Sequence, residues 1–163
     1  MTKILPKKPD YKGTDPLNGY AIIDCGHLEE TFYQQVLKDD SLIAQSLFID
    51  TPDEPSAAHG PLLVQLDNEK NQSFIERLQE IEEKLPTVLW LWSSLDFKRL
   101  ANILKLLQYG ELEDGTHVLV RYYDPRCFDE LLKVFKTQVK IARKLTHIQG
   151  WALKRNNQYQ YFS

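Results

Sequence analysis

Residues 118–128 read Val118-Leu119-Val120-Arg121-Tyr122-Tyr123-Asp124-Pro125-Arg126-Cys127-Phe128, an apolar segment that turns through a polar corner into helical spacing. The β-branched and aromatic residues up to Tyr123 favour a strand, Asp124 suits a helix cap, and Pro125 suits a first helical turn, where its missing N–H costs nothing. The stretch therefore predicts a strand-to-helix joint. Its polar residues fall where a mostly parallel sheet leaves a crevice for ligands and partners, at the carboxyl ends of its strands.

Outward from this joint the pattern alternates. Downstream, Phe128, Leu131, Leu132, Phe135 and Val139 share one helical face. Upstream, Asp114-Gly115 predicts a turn, and Phe97, Leu100, Ile103, Leu104 and Leu107 predict a helix whose other side carries Lys98, Arg99 and Lys105. Ser93-Ser94-Leu95-Asp96 in front of it matches a capping box. Thr87 to Trp92 is almost wholly apolar, as in a strand covered on both faces. Phe74, Leu78, Ile81 and Leu85 predict an amphipathic helix with Glu76, Glu80, Glu82 and Glu83 outside, and Pro61 to Leu66 and Tyr20 to Cys25 read as strands. Leu28, Phe32 and Val36 mark another helix, and Ser41 to Ile49 a second apolar segment that ends in the loop Asp50 to Gly60.

Alternating strands and helices predict an α/β fold with a mixed, largely parallel sheet flanked by helices, in a single compact or bilobed domain. The strands on either side of the Asp50 to Gly60 loop are the expected antiparallel exception. Residues 1–18, rich in Lys, Pro, Asp and Gly, read as a flexible arm, 19–145 as the α/β domain, and 146–163 as a C-terminal hairpin or tail packed on it.

The 163 residues, 42% hydrophobic and 26% charged, suffice for one core. No apolar run approaches a membrane span and Met1 to Pro9 has no signal core, so the expected place is the cytoplasm, away from membranes. Two cysteines, Cys25 and Cys127, fit a reducing compartment, each as filler of a small buried space. The net charge of −3 is uneven: Lys133 to Ser163 holds seven basic residues and no acidic one, which leaves −10 for the rest. Such a tail steers an acidic partner or forms a solvated helix face. Mostly Lys and without a binding motif, it argues against nucleic acid.

Catalytic constellations are missing from the sequence. There is no Gly-x-Ser-x-Gly elbow, no His-Glu-x-x-His, no Cys-x-x-Cys and no Gly-rich phosphate loop, so neither a metal nor a cofactor is expected. His27, His59, His117 and His147 are scattered, and the acidic pairs Asp53/Glu54 and Glu82/Glu83 read as solvated charge. The elbow Asp124-Pro125-Arg126-Cys127 supports an alternative, a small hydrolase or transferase, although Cys127 next to Phe128 reads as a thiol turned into the helix packing. Trp92, Arg121, Tyr123, Asp124 and Arg126 are of types suited to protein recognition, and Lys140, Arg143 and Lys144 to electrostatic guidance.

Four stretches in order, Tyr20-Ala21-Ile22-Ile23-Asp24, Leu47 to Pro52 with Gly60 to Leu66, Trp92-Ser93-Ser94-Leu95-Asp96, and Leu112 to Arg126, together resemble the DUF4123 family of type VI secretion effector chaperones or adaptors. The resemblance covers about residues 19–140, with Arg121-Tyr122-Tyr123-Asp124-Pro125-Arg126 its most specific piece. Asp50 departs from it, standing where the family often has Gly before Thr-Pro. The resemblance implies a cytoplasmic bacterial protein, not itself an enzyme, that binds a cognate effector and assists its loading onto a VgrG-type spike protein.

Overall fold

The computed structural model describes residues 5–163. Its centre is a six-stranded sheet built from β1 (Asn18–Asp24), β2 (Ile43–Ser46), β3 (Pro61–Leu66), β4 (Val88–Ser93), β7 (Ile148–Arg155) and β8 (Gln158–Phe162), in the order β2-β3-β1-β4-β7-β8. A separate two-stranded ribbon pairs β5 (Tyr109–Glu111) with β6 (His117–Leu119). The helices are α1 (Glu30–Lys38), α2 (Gln72–Glu82), α3 (Phe97–Leu107), α4 (Phe128–Lys136) and α5 (Val139–Leu145).

Alternate residues of the central strands enter two cores. Tyr20, Ile22, Leu63, Leu89, Leu91 and Trp151 pack with α3, α4 and α5 through Leu104, Phe128, Leu132 and Leu145. Ala21, Ile23, Leu62, Val64, Val88 and Trp90 pack on the other side with Phe32 and Val36 of α1 and Ile75 and Leu78 of α2. Both faces of the sheet are thus covered by helices, which is why β1 and β4 read as unbroken apolar runs.

The expectation of a largely parallel sheet is overturned: every pairing in the sheet is antiparallel. The cause lies in strand order. β3 and β4 run in the same direction and are joined by α2, as an alternating pattern implies, but β1 lies between them and pairs with both. β1 and β2 are likewise separated by β3. Burial on both faces reports coverage by helices, and strand direction is independent of it.

Three local expectations change with the sheet. The opening stretch does not feed the sheet at all: β6 stops at Leu119, and Tyr122 and Tyr123 leave the ribbon to bury their rings in the α3/α4 core. Asp124 and Pro125 form a turn, closed by the Cys127 N–H donating to the Asp124 carbonyl, and α4 starts only at Phe128. Asp96, and not Ser93, caps α3 by accepting the Arg99 N–H at 2.9 Å, while Ser93 Oγ donates to the His147 carbonyl.

Besides Gly115 (φ 84°) in the turn between β5 and β6, two turns use left-handed backbone. Asn156 and Asn157 (φ 53° and 62°) make the two-residue turn of the β7–β8 hairpin, the geometry that matches strand twist. Asp50 has φ 60°, in the loop before the 3-10 turns of Glu54–His59. That conformation explains why glycine suits this position. Aspartate tolerates it, whereas a β-branched side chain does not. Asp50→Val is expected to lower stability by about 1–2 kcal/mol and Asp50→Gly to leave it nearly unchanged, measured by urea unfolding.

Candidate functional site

β1 is apolar from Tyr20 to Ile23 and then ends in Asp24, which is only 1% exposed. Here the strand runs out into the 3-10 turn Cys25–His27, and Asp24 caps it: Oδ1 accepts the Gly26 N–H at 3.0 Å. Asp24 Oδ2 accepts a 2.8 Å hydrogen bond from Nη2 of Arg121, which arrives from the turn after β6. The same oxygen lies 3.5 Å from His27 Nε2, an atom that makes no hydrogen bond of its own.

Beside this pair sits a second one. Asp124, 4% exposed, accepts the backbone N–H and the Nε–H of Arg126 on Oδ1 (2.9 and 3.1 Å) and its Nη2 on Oδ2 (2.8 Å). Burial acts to raise the Asp124 carboxyl, but the hydrogen bonds and charge of Arg126, with the charge of Arg121, outweigh it and hold the group below the usual carboxylate range. Tyr123 closes the floor under the Arg121 guanidinium, whose carbon lies 5.9 Å from the ring centroid. Burial and the nearby Asp24 charge push the Tyr123 phenol up to about 12 despite Arg121, so it stays protonated and is no base.

Asp24, His27 and Asp124 each bring a potential ligand atom within 4.8 Å of the others, and among the described residues they are the set able to hold a metal. Two guanidiniums already neutralise the two carboxylates, so the local charge does not call for a cation. What the arrangement does offer is recognition. The side chains of Arg121 and Arg126 remain 49% and 59% exposed while their inner nitrogens are fixed by buried acids, leaving outward N–H groups oriented without further ordering.

The structure brings Arg121, Tyr123, Asp124 and Arg126 together as one corner. Trp92 is elsewhere: it is 3% exposed and pairs across the sheet with Gly19, at the opposite end of β1 and roughly 17 Å from Asp24 along the strand. Lys140, Arg143 and Lys144 are exposed on α5. Cys127 is exposed, against the expectation that it packs inward, because Phe128 takes the buried position at the head of α4. Both oxygens of Asp124 are engaged by Arg126, which leaves the elbow no free carboxylate base beside Cys127. Asp24 and His27 are the members of the corner that sequence reasoning passed over. An acid closing a fully apolar strand was the available signal, since a buried carboxylate requires a partner.

A family model, described as a domain of unknown function (DUF4123), matches residues 19–140. The chain belongs to the DUF4123 family. The DUF4123 match includes Asp24, His27 and the whole Arg121 to Arg126 stretch, and ends within α5. β7 and β8, which complete the sheet of this DUF4123 protein, follow the matched region. Comparisons with curated proteins and with solved structures give no match. Among the described residues no helix is long and apolar enough to cross a membrane.

Proposed function

We propose that this chain is a non-enzymatic adaptor or chaperone, which binds a cognate effector of a type VI secretion system in the bacterial cytoplasm and assists its loading onto a VgrG-type spike protein. The observation that carries this reading is the corner inside the family-matched region, where two buried acids hold two half-exposed arginines in place. Such groups contact a partner's carboxylates or carbonyls with little loss of side-chain entropy. Nothing in this role requires a cofactor. The exposed cations of α5, Lys140, Arg143 and Lys144, raise the encounter rate with an acidic surface.

Co-purification with an effector encoded beside the chain tests the reading, and binding of an unrelated set of proteins with equal strength contradicts it. For the electrostatic part, reversing Lys140, Arg143 and Lys144 to Glu is expected to slow association about tenfold at low salt and to change it little at high salt, measured by stopped-flow mixing or biosensor kinetics. Equal rates for both proteins at low salt remove the guidance role from α5.

A further inference from the structure

At the end of the sheet opposite the corner, three residues lie in register across neighbouring strands: Gly19 of β1, Trp92 of β4 and Gly150 of β7. The two glycines leave the indole standing between two gaps, and the N-terminal segment fills both. A Cβ on Gly19 would lie 2.8 Å from Leu5 Cδ1, and one on Gly150 would lie 3.0 Å from Pro9 Cγ. A side chain at position 19 would push the flexible end of Leu5 aside, and one at position 150 would require Pro9 to give by a few tenths of an ångström, so the two glycines let the segment lie close against the sheet.

Leu5 also packs against the core on this face of the sheet, and among the described residues two hydrogen bonds tie the segment down. The Leu5 N–H donates to Asn68 Oδ1 at 2.8 Å, the Lys7 N–H donates to the Tyr161 hydroxyl at 3.1 Å, and Pro6 is buried. Residues 5–17 form no strand or helix, so the segment crosses the sheet end without backbone pairing to it. Cavities of about 960 and 340 Å³ flank it, and both are lined by Lys7, Lys8 and Trp92. Lifting the segment away joins them into one groove with Trp92 at its floor and Gly19 and Gly150 as its two seats.

We propose that Leu5–Pro9 is an intramolecular ligand occupying a peptide-binding groove, and that an extended segment of the protein partner takes its place. The occupant is defined by what already fits: an extended stretch with an apolar side chain for the Gly19 seat and, four residues on, a proline for the Gly150 seat. Proline suits this role because its fixed φ reduces the entropy lost on docking and it has no N–H to leave unpaired. A short tether holds the chain's own segment at an effective concentration near millimolar, so the groove is closed until a partner competes. The proposal rests on the adaptor reading for the partner, while the groove and its tethered occupant stand independently of it.

The test uses the full chain and a synthetic peptide of the Leu5 to Lys12 sequence. Leu5→Ser/Pro9→Ser weakens the tethered segment without touching the sheet, and Gly150→Ala crowds Pro9, which must give by a few tenths of an ångström, as a second route. In either variant the Trp92 indole N–H and the backbone amide at position 150 are expected to shift in NMR spectra and exchange faster with solvent. Added peptide should reverse the shifts in the Leu5→Ser/Pro9→Ser chain and bind it about tenfold more tightly than the unaltered chain. A peptide that perturbs no resonance around Trp92, or that binds both chains equally, overturns the intramolecular ligand. A cognate effector is expected to gain a similar factor in affinity for the double variant, and unchanged effector affinity overturns the exchange with a partner even where the peptide result holds.

Discussion

Arg121→Ala is expected to destabilise the fold by roughly 2–3 kcal/mol, more than any other single truncation of an exposed side chain at the corner. The reason is what it leaves behind. Asp24 is 1% exposed and loses the guanidinium that donates to it, while the apolar strand that precedes it keeps the carboxylate from water. Half of the Arg121 side chain is in solvent, so screening brings the loss below that expected for a fully buried pair. Arg126→Ala is expected to do less, because its backbone N–H still donates to Asp124 and the charge of Arg121 still acts on that carboxylate. Urea unfolding of the two single variants and of Arg121→Ala/Asp24→Asn decides the matter. If the buried acid is the source of the loss, the double variant recovers part of it, and simple additivity of the two changes would refute the pairing as its cause.

The second large effect is a dependence of stability on pH. Glu82 was expected on the solvated side of α2, but its carboxylate turns under the sheet edge. It accepts the Trp90 indole N–H on both oxygens (3.2 and 3.0 Å) and the Tyr159 hydroxyl at 3.0 Å. Burial raises it from 4.5 to about 7, against the lowering pull of those two donors and of Lys154. The folded protein therefore binds a proton more tightly than the unfolded chain does. The stabilisation is fully present below pH 4.5 and lost as pH rises towards 7, by roughly 3 kcal/mol from this group alone. Asp124 and Asp129, both held low by arginines, act in the opposite sense under more acidic conditions. Glu82→Gln should remove the slope between pH 5 and 7, followed as the urea midpoint of variant and parent across that interval. A slope that survives the substitution assigns the titration to another group.

Much of the local structure was legible because periodicity reports burial directly. Phe32 and Val36, Leu78 and Ile81, Leu100 and Leu104 all face a core at the spacing their sequence shows. Strand direction was not legible, because the insertion of β1 between β3 and β4 is a contact between residues far apart in the chain and leaves no trace in either segment. The corner was half legible. Arg121, Tyr123, Asp124 and Arg126 form a continuous stretch and fell together, whereas Asp24 is 97 residues from the arginine that neutralises it. Glu82 failed for a different reason: an acid beside Glu83 at the end of an amphipathic helix looks solvated until β4 and β8 deliver an indole and a phenol to it.

The contrast between the two thiols has a practical use. Cys25 lies in the interior, and burial together with the Asp24 charge pushes its thiol up to about 12, which keeps it unreactive at neutral pH. Cys127 is open to solvent one residue after Arg126. A maleimide dye or photo-crosslinker added to the unmodified chain will therefore attach at one address, on the rim of the arginine corner. Distances and covalent adducts measured from that address can map which face of a captured protein lies against it, without any engineered cysteine.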